Sequence, residues 1–219
     1  MSDIFREVDE EVRRDKAEEF WRKYQTYFLV AAAVVVAATA GWRYWDYQRA
    51  QTAQALGARF EAALELDRGG KDAEAIGALG KIAADAPSGY RTLARLAEAA
   101  VIAKTDSARA IAGYDALAED PSVAGLFRET ARLRAAMLRL DAGQIDKAKA
   151  ALEALAAPGG VYRASARELL GAVALAAQDY PGAGKWLDQV VTDPEAPRDA
   201  RRAADSLLGL VGSGKPASQ

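Results

Sequence analysis

The sequence predicts an all-α fold: one N-terminal transmembrane helix, then an α-solenoid of about four helical hairpins closed by a C-terminal capping helix. Three observations predict it. Residues 24–42 form a run of 19 without a single charge. Pro87, Pro121, Pro158 and Pro194 recur at spacings of 34, 37 and 36 residues. Ahead of each proline, small or apolar residues repeat at i, i+4 and i+7: Ala75-Leu79-Ile82, Ala110-Tyr114-Leu117, Ala148-Leu152-Leu155 and Ala183-Leu187-Val190. That spacing places three side chains on one face of a helix. Self-similarity at this period marks a stacked repeat.

Residues 1–23 are a mixed-charge leader with eight acidic residues. Ile4, Phe5, Val8 and Val12 give it one apolar face, consistent with a short amphipathic helix. Residues 24–45 are the predicted span. As a helix, 19 residues rise about 28 Å, close to the thickness of a bilayer's hydrocarbon core. Phe20, Trp21, Tyr24, Tyr27 and Phe28 crowd one border, and Trp42, Arg43, Tyr44 and Trp45 form the interface anchor at the other. Amphipathic rings favour the headgroup layer, so paired aromatic girdles read as a membrane crossing. Ala38-Thr39-Ala40 offers a signal-peptidase-like pattern, but a signal peptide opens with a short basic region, not this acidic leader. Six Lys or Arg precede the run, against Arg43, Arg49 and Arg59 within a similar distance after it. That bias puts the N-terminus in the cytoplasm and the rest of the chain across the membrane.

Residues 46–211 hold the repeats. Each triplet helix follows a turn signal: Gly69-Gly70-Lys71-Asp72, Lys104-Thr105-Asp106-Ser107, Gly143-Gln144-Ile145-Asp146 and Gln178-Asp179-Tyr180-Pro181. Upstream of each turn lies a further Ala/Leu-rich helix, at roughly 50–68, 90–103, 126–142 and 162–177. Proline then opens the next connection, because it cannot continue a helix. No breaker stands between Arg43 and about Gly57, so the span is expected to run into the first repeat helix. Ala200, Ala203, Ala204, Leu207 and Leu208 form the apolar face of a terminal helix whose other face is charged, as the cap of a solenoid requires. Residues 212–219 read as a disordered tail.

Composition narrows the function. The chain has no His and no Cys. Thiol nucleophiles, His-based triads and Cys/His metal sites are thereby excluded. Gly69-Gly70 and Gly159-Gly160 lack a phosphate-loop context. No cofactor or metal is expected, and the reading is non-enzymatic. From residue 46 onward, 22 basic residues face 23 acidic ones. Such a balance supplies no basic field for nucleic acid.

The hairpin unit resembles the tetratricopeptide repeat: Ala63, Ala75 and Pro87 stand where that pattern wants a small residue, Ala and Pro, although Arg59 occupies a position that often holds Trp. The first helices of such a stack line its inner face, and such grooves bind extended or unfolded polypeptide segments or partner helices. By phase, Phe60, Leu64, Arg95, Leu133, Met137 and Glu168 face either that groove or the packing between hairpins. In the span, Ala33, Ala37 and Gly41 form a small-xxx-small row of the kind that packs transmembrane helices.

Gly41-Trp42-Arg43-Tyr44-Trp45, directly after a single span and before Ala-rich hairpins, resembles the YfgM-like family of ancillary subunits of the bacterial Sec (SecYEG) translocon. The resemblance implies an inner-membrane protein with one pass, a cytoplasmic N-terminus and a periplasmic tetratricopeptide-like domain. It further implies association with the translocon and with a membrane-anchored periplasmic chaperone, and assistance to exported proteins. The same fold would also suit a scaffold for another cell-envelope complex, serving cell-wall growth or outer-membrane assembly.

Overall fold

The computed structural model describes residues 3–214, with side chains described over 21–212. The apolar face expected in the leader therefore lies outside the described side chains. The described residues form nine α-helices and no strand: α1 (Asp3–Arg68), α2 (Asp72–Asp85), α3 (Ser88–Ile102), α4 (Ser107–Glu119), α5 (Gly125–Asp141), α6 (Ile145–Leu155), α7 (Arg163–Ala176), α8 (Tyr180–Val191) and α9 (Arg198–Gly214). The chain divides into two compact units between Ala55 and Leu56.

In the first unit, no residue from Trp21 to Ala55 is buried. One described helix is long and apolar enough to cross a membrane, and this is it. Val34, Val35 and Val36 are each 60% exposed or more. A helix that is apolar on every side is a candidate span, since nothing in this unit covers its side chains. At its far border Arg49 lies 4.5 Å over the Trp45 ring. A cation on an aromatic face is favourable there because the ring's quadrupole attracts it.

The second unit is a stack of hairpins. The end of α1 pairs with α2, α3 with α4, α5 with α6 and α7 with α8, and α9 packs on α8 and α7. All twelve triplet residues, three on each second helix, are buried, from Ala75 to Val190. The i, i+4, i+7 phase is thus the core face of every second helix. Leu56 and Ala63 of α1 join Ala75, Leu79 and Ile82 in the first cluster, and Ala204 and Val211 of α9 close the last one.

Three of the four hairpins turn in the same way. Lys71 N donates to Leu66 O and Gly70 N to Asp67 O; Gln144 and Gly143 repeat this on Arg139 and Leu140, and Asp179 and Gln178 on Ala174 and Leu175. This is the paired closure that satisfies the last carbonyls of a helix around one left-handed residue. Gly70 and Gly143 take it at φ 74° and 71°, whereas Gln178 takes it at 60° with a side chain attached. The triplet helices that follow two of the turns are capped by aspartate: Asp106 accepts from Arg109 N and Asp179 from Gly182 N, both at 2.9 Å. Each cap satisfies a backbone donor that the helix leaves free. The helix α9 runs through Gly214, and the rest of the expected tail lies outside the described residues.

Ion pairs link successive hairpins. Lys104, at the end of the second hairpin's first helix, reaches Asp67 at 2.7 Å and Asp72 at 3.0 Å in the first. Arg139 of α5 reaches Asp115 of α4 at 2.6 Å. Arg163 of α7 binds Asp193 at 2.7 Å and Glu195 at 2.6 Å in the connection to α9. The hydrogen bond to Asp193 holds that carboxyl down at about 2 and raises the Arg163 guanidinium above its ordinary value.

Candidate interaction groove

A groove of about 550 Å³ opens between α3 and α5. Its α3 wall is wholly apolar: Leu93, Leu96, Ala97, Ala100 and Ala103. Its α5 wall alternates Thr130, Arg134, Met137, Leu138 and Asp141. These are the first helices of consecutive hairpins, and both pack on α4, the second helix between them. Leu93 and Met137 are 38% and 37% exposed, so apolar surface stands open to an incoming chain. A contiguous apolar strip rimmed by polar groups is a mark of a protein-binding surface.

Tyr114 of α4 forms the floor. It is 3% exposed, yet its phenol makes no hydrogen bond with any described residue. Burial pushes its ionisation upward, against the opposing influence of Arg134. A hydroxyl at the groove floor without a protein partner can exchange a hydrogen bond with a ligand's polar group. Arg134 and Asp141 are exposed on the α5 wall, and neither forms an ion pair among the described residues.

The residues singled out by helical phase distribute over several places. Met137 lines the groove. Phe60 packs on the first cluster and meets Tyr90 edge-on, with ring centres 6.4 Å apart. Leu64 is half-buried on α1. Arg95 is drawn to Asp120 at 2.8 Å. The Asp120 carboxyl is held at about 2, first by Ser122 and then by Arg95. Leu133 lies against the cluster shared by α5, α6 and α7. Glu168 is half-buried on α7, and its carboxyl is pushed upward by burial and then by Asp199. In the candidate span, the position a Cβ would take on Gly41 meets nothing within 4 Å, and Ala33, Ala37 and Gly41 are all exposed.

Helical phase did not single out Leu93, Tyr114, Arg134 and Asp141 as groove residues. One signal for the two charges was present. The positions three and four residues either side of Arg134 are Thr130, Ala131, Met137 and Leu138, with no acid among them. Asp141 likewise has no base at those distances. A helix normally pairs such charges along its surface.

No group of acidic residues able to hold a metal ion occurs among the described residues. Residues 18–197 match the family model of the tetratricopeptide repeat-like domain. No curated protein and no solved structure matches the chain.

Proposed function

The chain belongs to the tetratricopeptide repeat-like domain family, and from that premise we propose that it is a membrane-tethered module whose α3–α5 groove captures segments of other polypeptides. Domains of this family suggest protein–protein interaction and are typically non-enzymatic scaffolds. The observation that carries the reading is the open apolar groove with an unpartnered phenol at its floor. Tethering raises effective concentration, so weak contacts in such a groove suffice for capture.

In this proposal residues 24–45 cross the inner membrane, the leader 1–23 stays in the cytoplasm and residues 46–211 work in the periplasm. The excess of Lys and Arg ahead of the span supports that direction. The partners are the Sec translocon and a periplasmic chaperone, and the clients are exported chains still unfolded. The resemblance at Gly41 to Trp45 supports this assignment. Ala33, Ala37 and Gly41 would pack the span against a translocon helix, while Trp42, Arg43, Tyr44 and Trp45 set its depth. Phe60, Leu64, Arg95 and Glu168 would extend the contact surface beyond Met137, whereas Leu133 packs inward between α5, α6 and α7.

The chain has no native Cys, so a single introduced thiol reports without background. Ser88→Cys in spheroplasts reacts with a membrane-impermeant maleimide if the repeat domain is periplasmic; protection until lysis reverses the topology. Photo-cross-linkers at Ala37 and Met137, at native expression, should trap the translocon and the chaperone respectively. Recovery of neither would overturn the Sec assignment, and recovery of cell-wall or outer-membrane assembly proteins instead would make the module a scaffold there.

A further inference from the structure

A second pocket, of about 360 Å³, lies among α4, α5 and α6 and shares no lining residue with the α3–α5 groove. Asp115, Glu119, Glu129, Arg132 and Arg139 bring it three acids and two bases. Part of that charge is matched within the fold. Arg139 pairs with Asp115 at 2.6 Å, and the Arg132 guanidinium donates to the Ala118 carbonyl at 3.3 Å. Glu119, Glu129 and Arg132 have no ion-pair partner among the described residues, although Glu129 and Arg132 stand one turn apart on α5.

Two polar atoms of this lining are buried and make no hydrogen bond within the described protein: Oε2 of Glu129 and Nε of Arg139. The ionised carboxylate only accepts and the guanidinium only donates. A buried polar group left unpaired costs free energy, so each atom favours an occupant of the opposite kind. A simple cation would leave Arg139 unmatched, and a simple anion would leave Glu129 unmatched. The two residues are ten apart on α5, about 15 Å of axial rise, and with Arg132 they fall within about 80° around the helix. One occupant serving both therefore carries its opposite charges several bonds apart. Ala151, Ala154 and Leu155 of α6 give the pocket an apolar wall against which the stem between those charges can lie. The volume is at the lower end of small-molecule sites, about 300–1,000 Å³.

We propose that the α4–α5–α6 pocket binds a small zwitterion of ω-amino carboxylate type. Its ammonium donates to Glu129, with Glu119 adding negative charge to the same pocket. Its carboxylate accepts from Arg139 Nε, and Arg132 supplies the cation that Asp115 does not neutralise. A free ω-amino acid and the two termini of a short free peptide offer this same chemistry. The site is separate from the α3–α5 groove and does not depend on capture of polypeptides there.

The test is isothermal titration calorimetry on the full chain in detergent with three probes of one stem length: 5-aminopentanoate, 1,5-diaminopentane and glutarate. The zwitterion is expected to bind about tenfold more tightly than either of the others, the worth of one charge-assisted hydrogen bond. Glu129→Gln should weaken 5-aminopentanoate about tenfold and leave glutarate unchanged. Circular dichroism melts check that this variant is folded; it loses no ion pair, so it should melt no lower than the parent. Preference for the diamine or for glutarate overturns the zwitterion in favour of a cation or an anion site. Affinity for 5-aminopentanoate that survives Glu129→Gln overturns the assigned ammonium position. Binding of none of the probes overturns the site and leaves its two buried atoms to solvent. Where 5-aminopentanoate binds, Gly-Gly-Gly as a fourth probe separates the sources: tighter binding supports peptide termini, weaker binding a free ω-amino acid.

Discussion

Adding one methyl group at Gly171 and at Gly77 is expected to change stability in opposite directions. Gly171 lies in the middle of α7 and is buried. A Cβ built there would fall 2.6 Å from both Cγ and Cδ2 of Leu187, whereas carbon atoms in contact rest about 3.5–4.0 Å apart. Leu187 belongs to the buried triplet of α8 and is 0% exposed, so it has little room to yield. Forcing a methyl into such packing costs about 1–3 kcal/mol. Alanine recovers about 1 kcal/mol of helix propensity over glycine. Taking the middle of the strain range, Gly171→Ala is destabilising by about 1 kcal/mol net. Gly77 sits in α2 with nothing within 4 Å of the same position. Gly77→Ala therefore keeps the propensity gain alone, about 1 kcal/mol of stabilisation. The pair should differ by about 2 kcal/mol, several degrees in melting temperature for a chain of this size. Thermal melts followed by far-ultraviolet circular dichroism measure it, with Trp186 fluorescence as a second probe near the site. Leu187→Ala should cost less in the Gly171→Ala background than in the parent, because the new methyl fills part of the cavity. A Gly171→Ala chain that melts as high as Gly77→Ala would refute the close α7–α8 approach.

Three other outcomes follow from named side chains. Gln178 holds a left-handed conformation that glycine adopts in two equivalent turns, so Gln178→Gly should stabilise by about 0.5–1 kcal/mol, measured by the same melts. Asp193 has its folded pKa lowered to about 2 from 3.8, mainly by Arg163. A depressed carboxylate contributes stability above its ordinary value and loses it as pH falls through the folded one. The melting temperature should therefore drop between about pH 4 and pH 2, and less steeply in Asp193→Asn; Asp120, held at about 2 as well, keeps part of the slope. A slope unchanged by Asp193→Asn would show that the Arg163 pair does not set it. Tyr114→Phe removes a hydroxyl that no described residue binds, so melting should move by no more than about 0.5 kcal/mol. Its affinity for groove peptides should fall, and a large loss of stability would instead place that hydroxyl in the core network.

The second helices of the hairpins were legible in the sequence because each has one buried stripe. Ala75-Leu79-Ile82 and its three counterparts read as a core face, and the structure buries every member. Their turns were legible through Gly70 and Gly143, since a left-handed residue at a helix end favours glycine. The turn at Gln178 carries no such mark. Its geometry is set by the pair of backbone bonds that Gln178 and Asp179 donate to Leu175 and Ala174, and sequence pattern does not register strain that neighbouring hydrogen bonds hold in place. The candidate span was legible for a simpler reason: residues 24–42 contain no charge, and the helix that holds them is long and apolar enough to cross a membrane.

The first helices resist the same reading because they touch neighbours on two sides. Along α5, Ala131, Ala135 and Ala136 are buried, Leu133 turns toward α6 and α7, and Met137 turns toward α3. Two apolar stripes separated by small residues blur into one broad apolar face, and phase then cannot distinguish core from groove. Charge supplies the missing distinction. A cation or anion on a helix finds its partner three or four residues away, or across a contact, as Arg95 does with Asp120 and Arg139 with Asp115. Arg134 and Asp141 have neither, and they stand on either side of Met137 along α5. For a repeat stack rich in alanine, the useful question about a first-helix residue is therefore which charges beside it lack a partner. The same criterion also picks out Glu168 on α7, which has no base three or four residues away and no ion pair among the described residues.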